Sequence, residues 1–220
     1  MSFRIFCIAA MVATVSMTAA RAADAPDTRK ALNVVFAKDV ETKLALSAAP
    51  EHLRSDATLY LFGKKGFEKA REGTNGFTCL LNRDAFFYGS TAFKPTCWDA
   101  EGATSYVPVM LRVGELLAAG QILGVIRADI DGGFRNNVRF HRPARTGIAY
   151  MLAGDVDLDH TGKILKRSFP GHYMIYAPGV KNADIGYSAE DAKRDPSLPV
   201  IFDAGAGGSE LAYLITVPHH

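Results

Sequence analysis

Residues 58–71 read TLYLFGKKGFEKAR, and this stretch says the most about the fold. The aromatic and aliphatic residues from Thr58 to Phe62 favour a strand, Gly63 to Gly66 is typical of a tight turn, and Phe67 to Arg71 predicts a returning strand. A second glycine-rich turn precedes a third predicted strand, Phe77 to Leu81. We therefore expect a meander of short strands joined by tight turns.

Helical periodicity appears on both sides of this meander. Upstream, a stripe of apolar residues predicts one amphipathic helix from Thr28 to Ser47, which Pro50 ends. The stripe consists of Leu32, Phe36, Val40 and Leu44. Downstream, the spacing predicts a helix from Val107 to Ala119, with Pro108 near its start, and another from Gln121 to Ile130.

The rest of the chain favours strands over further helices. Four more are predicted: Gly147 to Leu152, Tyr173 to Tyr176, Val200 to Phe202 and Leu211 to Val217. The last two are expected to pair across the Gly205–Gly208 turn. The segment Asn82 to Lys94 is aromatic but has no periodicity, and we interpret it as a loop.

Helices and strands do not alternate regularly along the chain. This order predicts a single α+β domain over residues 23–220, with a mainly antiparallel sheet, an N-terminal amphipathic helix and a central helical segment. A doubly wound parallel sheet is the alternative that the order disfavours.

The first 22 residues have the pattern of a cleaved export signal. Arg4 supplies a cationic start, Ile5 to Val15 is an apolar run too short to span a bilayer, and Ala20 and Ala22 give the small residues that signal peptidase requires. We predict cleavage after Ala22 and a periplasmic or secreted location, with no retained transmembrane helix. A retained anchor is the alternative.

Two cysteines, Cys79 and Cys97, remain in the predicted mature chain. In an oxidising compartment they have one intramolecular pairing available, so we expect a structural disulfide. A redox-active pair is the alternative, but its usual C-x-x-C spacing is absent.

Charge and motif content exclude several classes of protein. Removing Arg4 and Arg21 from the 25 basic residues leaves 23, against 23 acidic residues, so we expect no nucleic-acid binding. The sequence has no H-E-x-x-H, G-x-S-x-G, phosphate-loop or haem-attachment motif, and we predict no cofactor.

Four arginines and one histidine form the one concentrated basic stretch of the sequence, which contains no lysine. It comprises Arg135, Arg139, His141, Arg142 and Arg145. Guanidinium groups bind carboxylates or phosphates in a bidentate manner, so the stretch is a candidate site for an anionic small molecule or envelope component. Surface pairing with the nearby Asp129 and Asp131 is the alternative.

A second candidate site lies between His172 and Asp184. His172 and Tyr176 have the same parity on a predicted strand, and Asn182 and Asp184 follow in a loop. A histidine beside a carboxylate is the minimal set for proton transfer, although a structural histidine is the simpler interpretation.

Asp155, Asp157 and Asp159 place carboxylates at alternate positions before Gly162. Such carboxylates can converge on a hard cation, but His160 and Lys166 stand where a calcium loop has glycine and glutamate. A solvated acidic connection between strands is the alternative.

These features support two hypotheses from different classes. The first is an exported, non-enzymatic module of the cell envelope that binds a small ligand or a partner. The second is a small extracytoplasmic hydrolase that uses His172 with Asp184 and an arginine as anion stabiliser.

Overall fold

A computed structural model describes residues 28–195 and 197–218 of the chain. The predicted export signal, residues 1–22, lies outside the described residues. Within these ranges the helices are α1 (Thr28–Leu32), α2 (Lys38–Leu46), α3 (Glu51–Arg54), α4 (Ala100–Ala118), α5 (Leu123–Phe134) and α6 (Ala189–Arg194). The strands are β1 (Thr58–Gly63), β2 (Gly66–Arg71), β3 (Thr78–Asn82), β4 (Lys94–Trp98), β5 (Ile148–Met151), β6 (Asp155–Leu158), β7 (Ile164–Phe169), β8 (His172–Tyr176), β9 (Val200–Phe202) and β10 (Tyr213–Thr216).

Eight of these strands form one sheet in the order β2-β1-β3-β4-β5-β8-β10-β9. Every neighbouring pair is antiparallel except β1 and β3. Strands β6 and β7 form a separate antiparallel hairpin. The predicted single α+β domain with a mainly antiparallel sheet is therefore confirmed, as is the pairing of β9 with β10.

Side chains on the two sheet faces alternate along each strand, and each face is covered by a helix. On one face α2 packs against β4, with the Cys97 Sγ 3.7 Å from the Ala45 carbonyl oxygen. On the other face α4 lies over Trp98, and Gly102 permits this approach because a Cβ there would lie 2.7 Å from the Trp98 Cβ. The predicted disulfide is confirmed: Cys79 and Cys97 are bonded at paired positions of β3 and β4.

The predicted first helix is wrong as one element, because it is split into α1 and α2. The Arg83 side chain is fully buried and donates to the carbonyl oxygens of Leu32 and Val34, at 3.1 Å each. It also forms a bidentate ion pair with Glu41, at 2.9 and 2.8 Å. These contacts hold the Leu32 and Val34 carbonyl groups toward the buried Arg83 side chain, and residues 33–37 between α1 and α2 are not helical.

The predicted meander is also wrong at its third strand. Strand β3 pairs in parallel with β1, and β2 lies at the outer edge of the sheet. The N–H groups of Thr74 and Asn75 donate to the Asp56 carbonyl oxygen, at 2.8 and 3.2 Å, and so return the chain to the start of β1.

The two central helices differ from the predicted ones in their bounds. Helix α4 begins at Ala100, where the Asp99 side chain accepts from the Gly102 N–H at 3.0 Å, so Pro108 lies inside the helix. Helix α5 continues to Phe134 instead of ending at Ile130.

The segment predicted to be a loop, Asn82 to Lys94, is buried at both ends, over residues 82–87 and 92–94, whereas Tyr88, Gly89 and Thr91 between them are exposed. A 3-10 turn from Asp84 to Tyr88 follows β3, and the segment ends at the first residue of β4. Its aromatic side chains are non-periodic because they pack in several directions from this turn. No helix within the described ranges is long and apolar enough to cross a membrane.

Candidate functional site

A cavity of about 190 Å³ lies between the α4-covered face of the sheet, helix α4 and the loop before β10. Alternation along the strands positions its walls. Lys94, Thr96 and Trp98 project from β4 to the same face, as His172 and Met174 do from β8. The cavity has aromatic and aliphatic walls with a few polar groups, which is the usual composition of a small-molecule site.

The β6–β7 hairpin brings a carboxylate to this cavity from outside the main sheet. Phe93 and Val156 exchange both backbone hydrogen bonds, at 2.8 and 2.9 Å, which places Asp155 near Lys94. Gly154 precedes it with φ of +69°, and a Cβ there would lie 2.2 Å from the Phe169 carbonyl oxygen. A glycine is therefore required for this close hairpin geometry.

Lys94 and Asp84 form a buried ion pair at one end of the cavity. The Asn82 amide donates to Asp84 Oδ1 at 3.1 Å, and the Ala206 N–H donates to Oδ2 at 3.4 Å. Burial by itself would lower the pKa of Lys94, but Asp84, Tyr88 and Asp155 outweigh burial and raise it. The ammonium therefore stays charged at neutral pH.

Asp155 is a second carboxylate beside the same ammonium. Burial raises the pKa of Asp155 to about 6; Lys94 opposes this rise, and Asp84 and Asp157 add to it. Interaction with the Tyr88 hydroxyl also lowers the pKa, but by less than burial raises it. The carboxyl group of Asp155 consequently changes charge close to neutral pH.

His172 contributes a neutral ring to the cavity. Its side chain is buried, and Nδ1 lies 2.8 Å from the Pro170 carbonyl oxygen, which can only accept, so Nδ1 carries the proton. Burial is the main cause that lowers the pKa of His172 to about 4. The hydrogen bond to the Pro170 carbonyl opposes this decrease, and the charge of Lys94 contributes to it. At neutral pH the ring therefore presents an unprotonated Nε2.

Aromatic side chains form the walls around these polar groups. Tyr106 stacks on Tyr213 with 4.5 Å between ring centroids, and the Trp98 indole N–H donates to the Tyr213 hydroxyl at 2.7 Å. At the charged end, the Lys94 ammonium lies 5.1 and 5.8 Å from the ring centroids of Tyr88 and Phe202. The walls are thus held by contacts with one another.

The structure brings two of the residues singled out from the sequence, Asp155 and His172, to the cavity. Asp184 is not joined to His172: its carboxylate accepts from the Lys181 N–H at 2.8 Å on an exposed turn. The Asn182 side chain is also engaged locally, with its Oδ1 accepting from the Ile201 N–H at 2.7 Å.

Tyr176 serves the fold in this structure. Its buried hydroxyl donates to Asp99 Oδ1 at 2.8 Å and lies 2.9 Å from the Ile148 carbonyl oxygen. Asp99 also caps α4, so this contact connects β8 to the start of the helix.

The arginine segment lies on the surface and does not line the cavity. Arg139 pairs with Asp129 at 2.8 Å, Arg142 with Glu210 at 3.3 Å, and Arg145 with Glu101 at 3.1 Å. Arg135 and His141 are also exposed. Arg139 thus forms the surface pair with Asp129 that the sequence left open as an alternative, whereas Arg142 and Arg145 pair with acids from other segments.

The three alternating aspartates separate in the structure. Asp155 faces the cavity, whereas Asp159 Oδ1 closes the hairpin turn by accepting from the N–H groups of Thr161 and Lys163, at 2.8 and 3.0 Å. Asp157 lies between them on β6. Among the described residues, no group of three or more His, Cys, Asp or Glu side chains is arranged to hold a metal ion.

Sequence reasoning missed the charged end of the cavity, Asn82, Asp84 and Lys94. One signal for it was present, because Asn82-Arg83-Asp84 interrupts an otherwise apolar run from Cys79 to Phe87. Adjacent polar residues inside such a run indicate buried, paired groups, since an unpaired buried charge is costly.

No protein-family model matches this sequence, and no match was found among curated proteins or solved structures.

Proposed function

We propose that this protein is an exported small-ligand-binding module of the cell envelope, and that the cavity beneath α4 is its binding site. The observation that carries the proposal is the cavity itself, in which polar groups stand among aromatic walls. Its size suits a molecule of one ring with a short substituent. The N-terminal pattern and the Cys79–Cys97 disulfide support the exported location.

The contacts of His172 do not favour the hydrolase alternative. Its Nδ1 is bonded to a backbone carbonyl, and Asp184 caps an exposed turn. A general base oriented by a carboxylate needs these two side chains to meet.

A thermal-shift screen of small cationic, neutral and anionic aromatic compounds tests the binding function. The matched pair of variants is Ala206→Leu, which adds three carbon atoms at a buried cavity-wall position, and Ala183→Leu, which adds them on an exposed turn. We expect compounds that stabilise the wild type to stabilise Ala183→Leu equally and to lose their effect on Ala206→Leu. Stabilisation that survives in Ala206→Leu would place the binding site elsewhere.

A further inference from the structure

The cavity proposed above as the binding site has one more negative than positive charge on its walls. Its charged side chains, among the described residues, are Asp84, Lys94 and Asp155. Lys94 is paired with Asp84, which also accepts hydrogen bonds from Asn82 and Ala206. Asp155 therefore faces an ammonium that another carboxylate already engages, and the walls carry a net charge of −1 when Asp155 is ionised.

His172 adds an acceptor that the protein leaves without a donor. The side chain is 2% exposed, and its contacts are the hydrogen bond from Nδ1 to Pro170 and the packing of its ring against Phe169, 5.0 Å away. Every fully buried side-chain N or O atom in the described part of the chain has a hydrogen-bond partner. The Nε2 atom of His172 has no hydrogen-bond partner, so it is not one of these fully buried atoms. It is accessible from the cavity that His172 lines.

The aromatic walls are suited to a positive charge. Tyr88 and Phe202 already flank one ammonium, that of Lys94. Ring faces attract ammonium groups, and the attraction grows where water is excluded. An anion, by contrast, would meet two carboxylates and an ammonium that is already paired.

We propose that the ligand of this cavity is a small amine with an aromatic or aliphatic ring. Its ammonium group faces Asp155, and an N–H or O–H of the ligand, which in a simple amine is an N–H of the ammonium itself, faces His172 Nε2. Its apolar body packs against Trp98 and the neighbouring methionines. This inference depends on the proposed function, because it names the ligand class of the same cavity. It departs from the anionic ligand expected from the arginines, since those side chains lie outside the cavity.

Trp98 provides a direct optical readout, because it is the single tryptophan of the chain and lies in the cavity wall. Three probes of similar shape separate the contributions: 2-phenylethylamine is cationic, 2-phenylethanol is neutral, and 3-phenylpropanoate is anionic. From the strength of hydrogen bonds to charged groups, we expect the amine to bind on the order of tenfold to a hundredfold more tightly than the alcohol. The carboxylate is expected to bind most weakly.

Two isosteric variants of β6 identify the group responsible. Asp155→Asn removes the cavity carboxylate, and Asp157→Asn removes the same charge from the same strand outside the cavity. Asp155→Asn should bind the amine no more tightly than the alcohol, and it should lose much less affinity for the alcohol than for the amine. Asp157→Asn should keep the preference of the wild type.

The pH dependence of binding provides a second test that does not depend on a variant. The groups that act on Asp155 are Lys94, Asp84, Asp157 and Tyr88. As the pH falls through 6, Asp155 takes up a proton, so the affinity for the amine should fall by much more than the affinity for the alcohol. His172 remains neutral over this range.

The possible results separate the two proposals. If none of the probes changes Trp98 fluorescence, the cavity does not bind molecules of this size, and the proposed function fails. If the alcohol or the carboxylate binds as tightly as the amine, the binding function stands and the amine assignment is overturned. Equal losses in Asp155→Asn and Asp157→Asn would overturn the assignment to Asp155.

Discussion

Replacing Asp155 with Asn removes a carboxylate that must share the Lys94 ammonium with Asp84. Burial raises the pKa of Asp155 from its ordinary value of 3.8 to about 6. The folded protein therefore binds a proton that the unfolded chain does not bind between these pH values. Ionised Asp155 destabilises the folded state above pH 6, and this cost disappears below about pH 4. We expect Asp155→Asn to be more stable than the wild type at pH 7.

The magnitude follows from the size of this rise. A rise in the pKa of Asp155 from 3.8 to about 6 corresponds to about 3 kcal/mol of folding free energy. Asp155 is half-buried, and contact with solvent at the cavity reduces the expected gain to about 1–2 kcal/mol. The control Asp157→Asn removes a charge from a half-buried position outside the cavity, and it should change stability by less than Asp155→Asn does.

Urea unfolding at pH 7 and pH 4, followed through Trp98 fluorescence, measures this effect. Wild type and variant must be compared at each pH, because His172 acts in the opposite direction. Its folded-state pKa of about 4 lies below its ordinary 6.5, so the wild type loses stability from His172 as the pH falls between these values. The difference between the two proteins cancels this contribution. A variant less stable than the wild type at pH 7, or equally stabilised at both pH values, would refute the reasoning.

Three further predictions concern the fold and its maturation. Glu41→Ala leaves the buried Arg83 charge without its partner and should lower the free energy of unfolding by about 3–5 kcal/mol; a loss below 1 kcal/mol in urea unfolding would contradict this. Cys97→Ser opens the loop closed by the bond to Cys79, whose ends are 18 residues apart, and should lower the free energy of unfolding by about 3 kcal/mol; thiol labelling of the unfolded, unreduced mature protein should find no free sulfur, and two labelled cysteines would contradict the disulfide. Intact-mass analysis of exported protein should give a chain that begins at Ala23, and a retained N-terminus would contradict the predicted cleavage.

Local patterns in the sequence were sufficient for much of the fold. The β1–β2 hairpin, the disulfide and the β9–β10 pair were predicted because each depends on turn residues, alternation or a unique pairing. The prediction failed where distant residues decide the backbone. Arg83 donates hydrogen bonds to two carbonyl groups in the predicted first helix, from which it is 49 and 51 positions away in the sequence. The apolar periodicity of that segment gives no indication of such a distant partner.

The candidate site was less accessible to sequence reasoning. Asp155 and His172 were singled out, but for a cation loop and a proton-transfer pair. The environment of Asp155 depends on Lys94, which lies 61 positions earlier in the sequence, in a segment predicted to be a loop. The signal at Asn82-Arg83-Asp84 concerns one partner of Lys94, and no local pattern indicates that Asp155 lies beside the same ammonium.

The most direct test of the central claim, that the cavity is the ligand site, is the NMR signal of the Trp98 indole N–H. The chain has one tryptophan, so the indole region should contain one cross-peak, from a proton donated to the Tyr213 hydroxyl in the cavity wall. Titration with 2-phenylethylamine should shift this peak in a saturable manner in the wild type and leave it unmoved in Ala206→Leu. A compound that binds and stabilises the protein while the Trp98 peak stays in place would contradict the account.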